Sequence, residues 1–184
     1  GVITGLGIGG IALAFAARDT VSNMLGGAIL MADRPFKRGD LIATEGELAT
    51  IENVGLRSTR LRTLDDSLLV IPNAQLSDKA IVNWGKRRRR KVLLQIGLTY
   101  DTPRESLDKF VERLKEVYRD QPRADLSTYY VGLKGFGPSS IDIELWGYFG
   151  VLGYEPYVEA LHQLMGDIVE LAKEVDVSFA FPTR

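Results

Sequence analysis

Gly1-Val2-Ile3-Thr4-Gly5-Leu6-Gly7-Ile8-Gly9-Gly10-Ile11-Ala12-Leu13-Ala14-Phe15-Ala16-Ala17 carries no charge, and Arg18 and Asp19 are the only ionisable residues before Asp33. At 1.5 Å per residue this run makes a helix of about 26 Å, the short end of a bilayer span. Burying Arg18 and Asp19 at the bilayer centre would cost roughly 5–7 kcal/mol, so the pair is expected at an interface or facing water. Thr20 to Ala32 resumes an apolar helical pattern that Asp19 is suited to cap. The sequence therefore predicts a membrane helix kinked and broken at Arg18-Asp19.

At 100° per residue, Gly1, Gly5, Gly9, Ala12 and Ala16 fall in one narrow stripe, and Gly7, Gly10, Ala14 and Ala17 in another. Thr4, Ile11 and Phe15 stand between them on one side, Val2, Leu6 and Leu13 on the other. Small residues at four-residue spacing let membrane helices approach closely, so a helix with two smooth flanks asks for two neighbours. Copies in a ring supply both and leave one large-residue face for a central axis; a single helix in a monomeric bundle is the other solution, and periodicity does not choose. On a continuous helix Arg18 shares the stripe of Ile11 and Phe15, which would put it at a pore mouth. Snorkelling to headgroups, or pairing with Asp19 of a neighbouring copy, are its alternatives. Gly5-Leu6-Gly7-Ile8-Gly9-Gly10 also matches a dinucleotide-binding glycine pattern, with Asp33 near the distance of a ribose-binding acid. That fingerprint needs a preceding strand, and only four residues stand before Gly5.

Over all 184 residues, 23 Lys and Arg oppose 24 Asp and Glu, a net charge of −1 that excludes a globally basic nucleic-acid binder. The absence of cysteine excludes disulfides, thiolate metal sites and a cysteine nucleophile, and the single histidine, His162, excludes a His-pair metal motif. A chain that opens on Gly rather than Met reads as a piece of a longer protein. A cleaved signal peptide fits poorly, because no basic region precedes the apolar run.

Beyond Arg34-Pro35-Phe36, strands are expected at about 40–44, 48–54, 56–63 and 67–71, separated by Glu45-Gly46-Glu47, Gly55 and Leu64-Asp65-Asp66. They describe a small all-β domain. The 56–63 run, holding Arg57, Ser58, Arg60 and Arg62, has no cleanly apolar face, and Pro72 ends the last strand. Gly85 is followed by six consecutive cations, Lys86 to Lys91, whose bland reading is a solvated face. From Val92 the expected order is strand (92–99), helix (103–120), strand (126–134), strand (139–149), helix (155–174), strand (177–181), the ferredoxin-like split unit. His162 reads as a surface or packing residue. Asp142 and Glu144, two apart on one strand face, read as meeting solvent or a basic neighbour rather than a substrate, so no enzyme constellation emerges.

The glycine-striped helix, Ser22-Asn23, Gly27, Arg34-Pro35-Phe36-x-x-Gly39-Asp40, Thr59-x-x-x-Thr63, Val70-Ile71-Pro72-Asn73, Asn83-Trp84 and the terminal Phe179-Ala180-Phe181-Pro182-Thr183 together resemble the small-conductance mechanosensitive channel (MscS) family over the whole chain. The resemblance implies a pore-lining transmembrane helix over 1–33, a β (Sm-like) domain over 34–84 and an αβ ferredoxin-like domain over 85–184. It implies a homoheptamer in the cell (inner) membrane, multi-pass, with the C-terminal body forming a cytoplasmic vestibule pierced by portals. Ile11 and Phe15 match the family's hydrophobic seal, Arg18 the mouth below it, and Gly5, Gly9, Gly10, Ala12, Ala14 and Ala16 the helix-packing surfaces. Arg87, Arg88, Arg89 and Arg90 fall where the portals are expected to set ion preference. The expected partners are copies of itself, membrane lipids, permeant ions and small osmolytes released under osmotic shock; no cofactor and no nucleic acid are implied. The chain departs from familiar members in having Arg18-Asp19 at the kink and Phe15 in the seal. The rival reading is a membrane-tethered module that holds RNA or anionic lipid through its β domain and basic run.

Overall fold

The structure, a computed structural model, describes residues 2–181, and the side chains of 2–6 and 8 lie outside the description. Gly1, Pro182 and Thr183, named above, are therefore not placed, and neither is the packing of Gly5. The chain divides into two compact units after Arg87.

The first unit opens with α1 (Val2–Asp33), one continuous helix. The expected break at Arg18-Asp19 is absent, and Asp19 caps nothing. No Gly or Pro stands between Gly10 and Gly26 to interrupt the hydrogen-bond ladder, and both charged side chains are exposed, so neither needs a bend to reach water. Among the described residues no helix is long and apolar enough to cross a membrane. The glycine pattern of 5–10 lies inside this helix rather than at a strand-to-helix turn, which removes the nucleotide reading.

Then come β1 (Leu41–Thr44), β2 (Glu47–Val54), β3 (Ser58–Thr63), β4 (Leu68–Pro72), the short α2 (Asn73–Ser77) and β5 (Val82–Asn83). The sheet order is β4-β3-β2-β1-β5, antiparallel throughout. Positive φ at Glu45 and Gly46 closes the β1–β2 turn. Ile42, Ala49, Ile51, Leu61, Ile71 and Leu76 form the core, joined by Leu30 of α1 and by Phe36. The inward face of β3 is mixed rather than cleanly apolar, with Thr59 and Leu61 both fully buried. A β-bulge shifts the β2–β3 register between Ile51 and Asn53.

The second unit holds β6 (Arg90–Leu98), α3 (Arg104–Arg119), β7 (Ala124–Phe136), β8 (Ile141–Phe149) and α4 (Tyr154–Val175). Its antiparallel sheet is three-stranded, β6-β8-β7. Leu107, Phe110, Leu114 and Tyr118 of α3 recur at helical spacing and pack with Leu164, Ile168 and Leu171 of α4 against Val92, Ile143, Leu145 and Phe149. The strand expected at 177–181 is reduced to one bridge, Leu98 to Phe179. Thr99 N–H donates to Ser178 O and Ala180 N–H to Gly97 O, while Phe181, 80% exposed, has no core contact to continue the pairing. Between Asp125 and Tyr130, β7 swings away from β8, and the Tyr118 hydroxyl fills the gap: it donates to Tyr148 O at 2.7 Å and accepts from Tyr148 N–H at 2.9 Å. Burial pushes the Tyr118 phenol pKa up.

Candidate functional site: a helix with one free and one anchored part

Over residues 9–20, α1 is exposed except at half-buried Ala17, and no core cluster of the described residues includes it. Ile11 is 60% and Phe15 72% exposed, Leu13 on the opposite face 71%, and Gly9, Gly10, Ala12, Ala14, Ala16, Arg18 and Asp19 are exposed as well. A Cβ added to Gly7, Gly9 or Gly10 would meet no atom within 4 Å. Large and small residues alike stand bare, which is the surface of a helix whose neighbours lie outside the chain.

Burial starts at Asn23 and recurs at Gly26, Gly27 and Leu30, one face at helical spacing. Here the helix meets the turn from β4 into α2. The Asn23 carboxamide donates to Asp19 O at 2.8 Å and accepts from Ala74 N–H at 3.1 Å. Gly26 is required because a Cβ there would fall 2.7 Å from Ala74 N and Asn73 C, backbone atoms that cannot yield. Gly27 leaves room for the Asn73 side chain. Asn73, fully buried, donates its side-chain N–H to Gly55 O at 2.8 Å, accepts from the Thr59 hydroxyl at 2.9 Å, and donates its backbone N–H to Arg57 O. Both carboxamides and the Thr59 hydroxyl of this joint are hydrogen-bonded, a connected network selective for one geometry.

A second polar knot follows the helix. Arg34 leaves α1 with φ of 47°, and its carbonyl accepts from Lys86 Nζ at 2.9 Å. Buried Asp40 accepts from Lys37 N–H and from Asn83 Nδ2, which also donates to Pro35 O. Arg-Pro-Phe-x-x-Gly-Asp and Asn-Trp, about forty residues apart, are thus two halves of one clasp.

The basic run is less bare than its composition suggests. Arg87 donates to Trp84 O and lies 5.2 Å from the centre of that ring. Arg89 donates to Asp125 at 2.7 Å and to Ser127 at 2.9 Å, with its guanidinium 3.9 Å from the Tyr148 ring centre. Hydrogen bonds from Ser127, then from Arg89, hold the Asp125 carboxyl at a pKa of about 2. Arg90 donates to Leu152 O beside Tyr154 and Tyr157, Lys91 lies over Trp146, and Arg88 is exposed. His162 is exposed, Glu144 pairs with Lys134, and Asp142 accepts from Ser140. Among the described residues no cluster of His, Asp or Glu could hold a metal ion.

The structure brings Ile11, Phe15 and Arg18 onto one exposed helix. Sequence reading missed the joint itself. Its signal was polar Asn23 within an apolar run and Asn73 straight after a strand-ending proline.

Residues 19–86 match the profile described as "Mechanosensitive ion channel, beta-domain", and residues 92–179 match "Mechanosensitive ion channel MscS, C-terminal". The small-conductance mechanosensitive channel MscMJ of Methanocaldococcus jannaschii is 37% identical over 182 residues, covering 99% of this chain and 52% of that protein. The cryo-EM structure of Arabidopsis thaliana MSL1 superposes with a TM-score of 0.87 at 25% identity, over 99% of this chain and 66% of that one. The crystal structure of Helicobacter pylori MscS in its closed state gives 0.79 at 27% identity, over 100% and 71%. The chain spans about half the length of the curated relatives it matches. With both profiles in order along one chain and relatives named as channels rather than enzymes, the chain belongs to the MscS family of mechanosensitive channels.

Proposed function

We propose that this chain is the pore-lining and vestibule-forming part of a mechanosensitive channel subunit. The observation that carries the reading is the division of α1: residues 9–20 expose apolar and small faces to nothing in the chain, while Asn23, Gly26 and Gly27 fasten the rest of the helix to the β unit. Seven copies in a ring would cover the Gly9, Gly10, Ala12, Ala14 and Ala16 flanks and leave Ile11 and Phe15 at the axis. A ring of such side chains blocks ions by excluding water. Membrane tension favours the wider ring, the constriction wets, and ions and small osmolytes pass, protecting the cell from osmotic shock.

In this reading 1–33 lies in the cell membrane against lipid, 34–84 and 85–184 form the cytoplasmic body, and Arg18 sits at the pore mouth. The second unit counts as ferredoxin-like, its fourth strand worn down to the Leu98–Phe179 bridge. Exposed Arg88 is the cation of the run best placed to act on permeant ions, because Arg89 is spent on Asp125. The same pairing weakens the alternative of an RNA-binding basic run.

Phe15→Ala in the full-length protein, recorded in membrane patches, is expected to lower the opening tension or leak at rest. Wild-type threshold with full closure would place the gate elsewhere.

A further inference from the structure

Two arginines of the β unit face one cavity without a counter-charge. The cavity, of about 510 Å³, is lined by Arg38, Gly39, Ile51, Glu52, Asn53 and Arg60. Glu52 is its only carboxylate, and Glu52 is already bonded to Arg62 Nε at 2.8 Å. Neither Arg38 nor Arg60 has a hydrogen-bonding or ionic partner among the described residues.

The bulge explains why. Thr50 stands opposite Arg62 and Ile51 opposite Leu61, so an unbroken register would set Glu52 directly across from Arg60, where acid and base would neutralise each other. The inserted residue instead brings Asn53 opposite Arg60 and frees Glu52 to turn to Arg62. On the other side Arg60 faces Val70. Bulges re-aim side chains in this way where a site is built. The same segment anchors the second cation: Gly39, at φ 89°, donates its N–H to Ile51 O at 2.8 Å, and Ile51 N–H donates to Asp40 O at 2.9 Å, pinning the Arg38-Gly39 turn against the bulge.

We infer that this cavity is a binding site for a phosphate-bearing anion, held between the guanidinium groups of Arg38 and Arg60. Guanidinium forks match phosphate oxygens in pairs, and the cavity carries more positive than negative charge once Glu52 is counted with Arg62. The phosphate could arrive on a lipid headgroup or free in solution; the site chemistry is the same.

The full-length protein in detergent is titrated with inorganic phosphate by calorimetry, and separately with phosphatidylglycerol, counting bound lipid by native mass spectrometry. Binding of inorganic phosphate assigns a soluble source, and binding of phosphatidylglycerol alone assigns the headgroup. In whichever arm binds, Arg60→Gln and Arg38→Gln are expected to weaken affinity by about tenfold each, and Arg60→Lys by less. Asn53→Asp, which returns a carboxylate to the position opposite Arg60, is expected to weaken it comparably without touching either arginine. Arg62→Gln, which frees the Glu52 carboxylate in the cavity lining, is expected to weaken affinity as well, whereas Arg57→Gln, outside the lining, should change it by less than about twofold. The inference is overturned if neither probe binds, if Arg38→Gln and Arg60→Gln both bind as the unmodified protein does, or if Arg57→Gln is as damaging as Arg60→Gln.

Discussion

Gly10 and Gly26 lie on one helix and serve opposite purposes. A methyl group on Gly10 would meet nothing within 4 Å, whereas on Gly26 it would strike the backbone of Asn73 and Ala74. The anchored glycine is explained by the chain's own fold; the free one is explained only in the proposed ring, where a neighbouring copy would lie against it. A small residue in a helix is therefore uninformative until its surroundings are known: of two identical residues, one fills an internal joint and the other stands in open space.

Asn73→Ala should break the anchored part hardest. It strands the buried Thr59 hydroxyl and Gly55 carbonyl, a cost of about 3 kcal/mol, read as a lower denaturation midpoint with lost amide protection over 55–77. Residues 9–20 should exchange as before. If they change equally, the two parts of the helix are not independent.

Gly26→Ala and Gly10→Ala sharpen the contrast because their signs differ. Overpacking at Gly26 should destabilise by roughly 1–3 kcal/mol, while Gly10→Ala in the unassembled chain should gain up to about 1 kcal/mol of helix propensity. Thermal unfolding of the two variants side by side decides it. Matching shifts would remove the distinction between internal and external glycines.

The smallest effect is in acid. The joint of Asn23, Thr59 and Asn73 contains no titrating side chain, but the Arg89–Asp125 pair of the second unit does. Asp125 has its folded-state pKa lowered to about 2, so its stabilising contribution is complete above the ordinary carboxylate range and is lost as pH falls from about 4 toward 2. Amide exchange at 123–127 should accelerate across that window while exchange around Asn73 holds. Asp125→Asn should abolish the pH step at 123–127.

What the sequence made legible was periodic. Strands alternating over four or more residues and helices with an apolar stripe were found within a few residues of their observed ends, because burial imposes the period. α2 and β5, five and two residues long, are too short to show any period. The unbroken α1 was misread because a charged pair was taken for an interruption, though charge at an exposed position leaves backbone hydrogen bonds untouched. The burial of Thr59 was not legible for a different reason: its partner Asn73 is 14 residues away, and only the fold tells a buried hydroxyl with an acceptor from a wet one. That Ile11 and Phe15 share one stripe of a helix was readable in advance; the bulge that separates Glu52 from Arg60 was not, since one inserted residue leaves no mark on composition.

The Tyr118 hydroxyl gives the second unit an internal reporter. In a regular sheet an amide is shielded by the neighbouring strand and exchanges only when strands part, but the Tyr148 amide is shielded by a side chain carried on a helix. Lifting α3 by a few ångströms would uncover that one N–H while the ladders on either side stayed closed. The exchange rate of a single proton in the central strand therefore follows the undocking of a helix, and separates loosening of the layers from melting of the sheet.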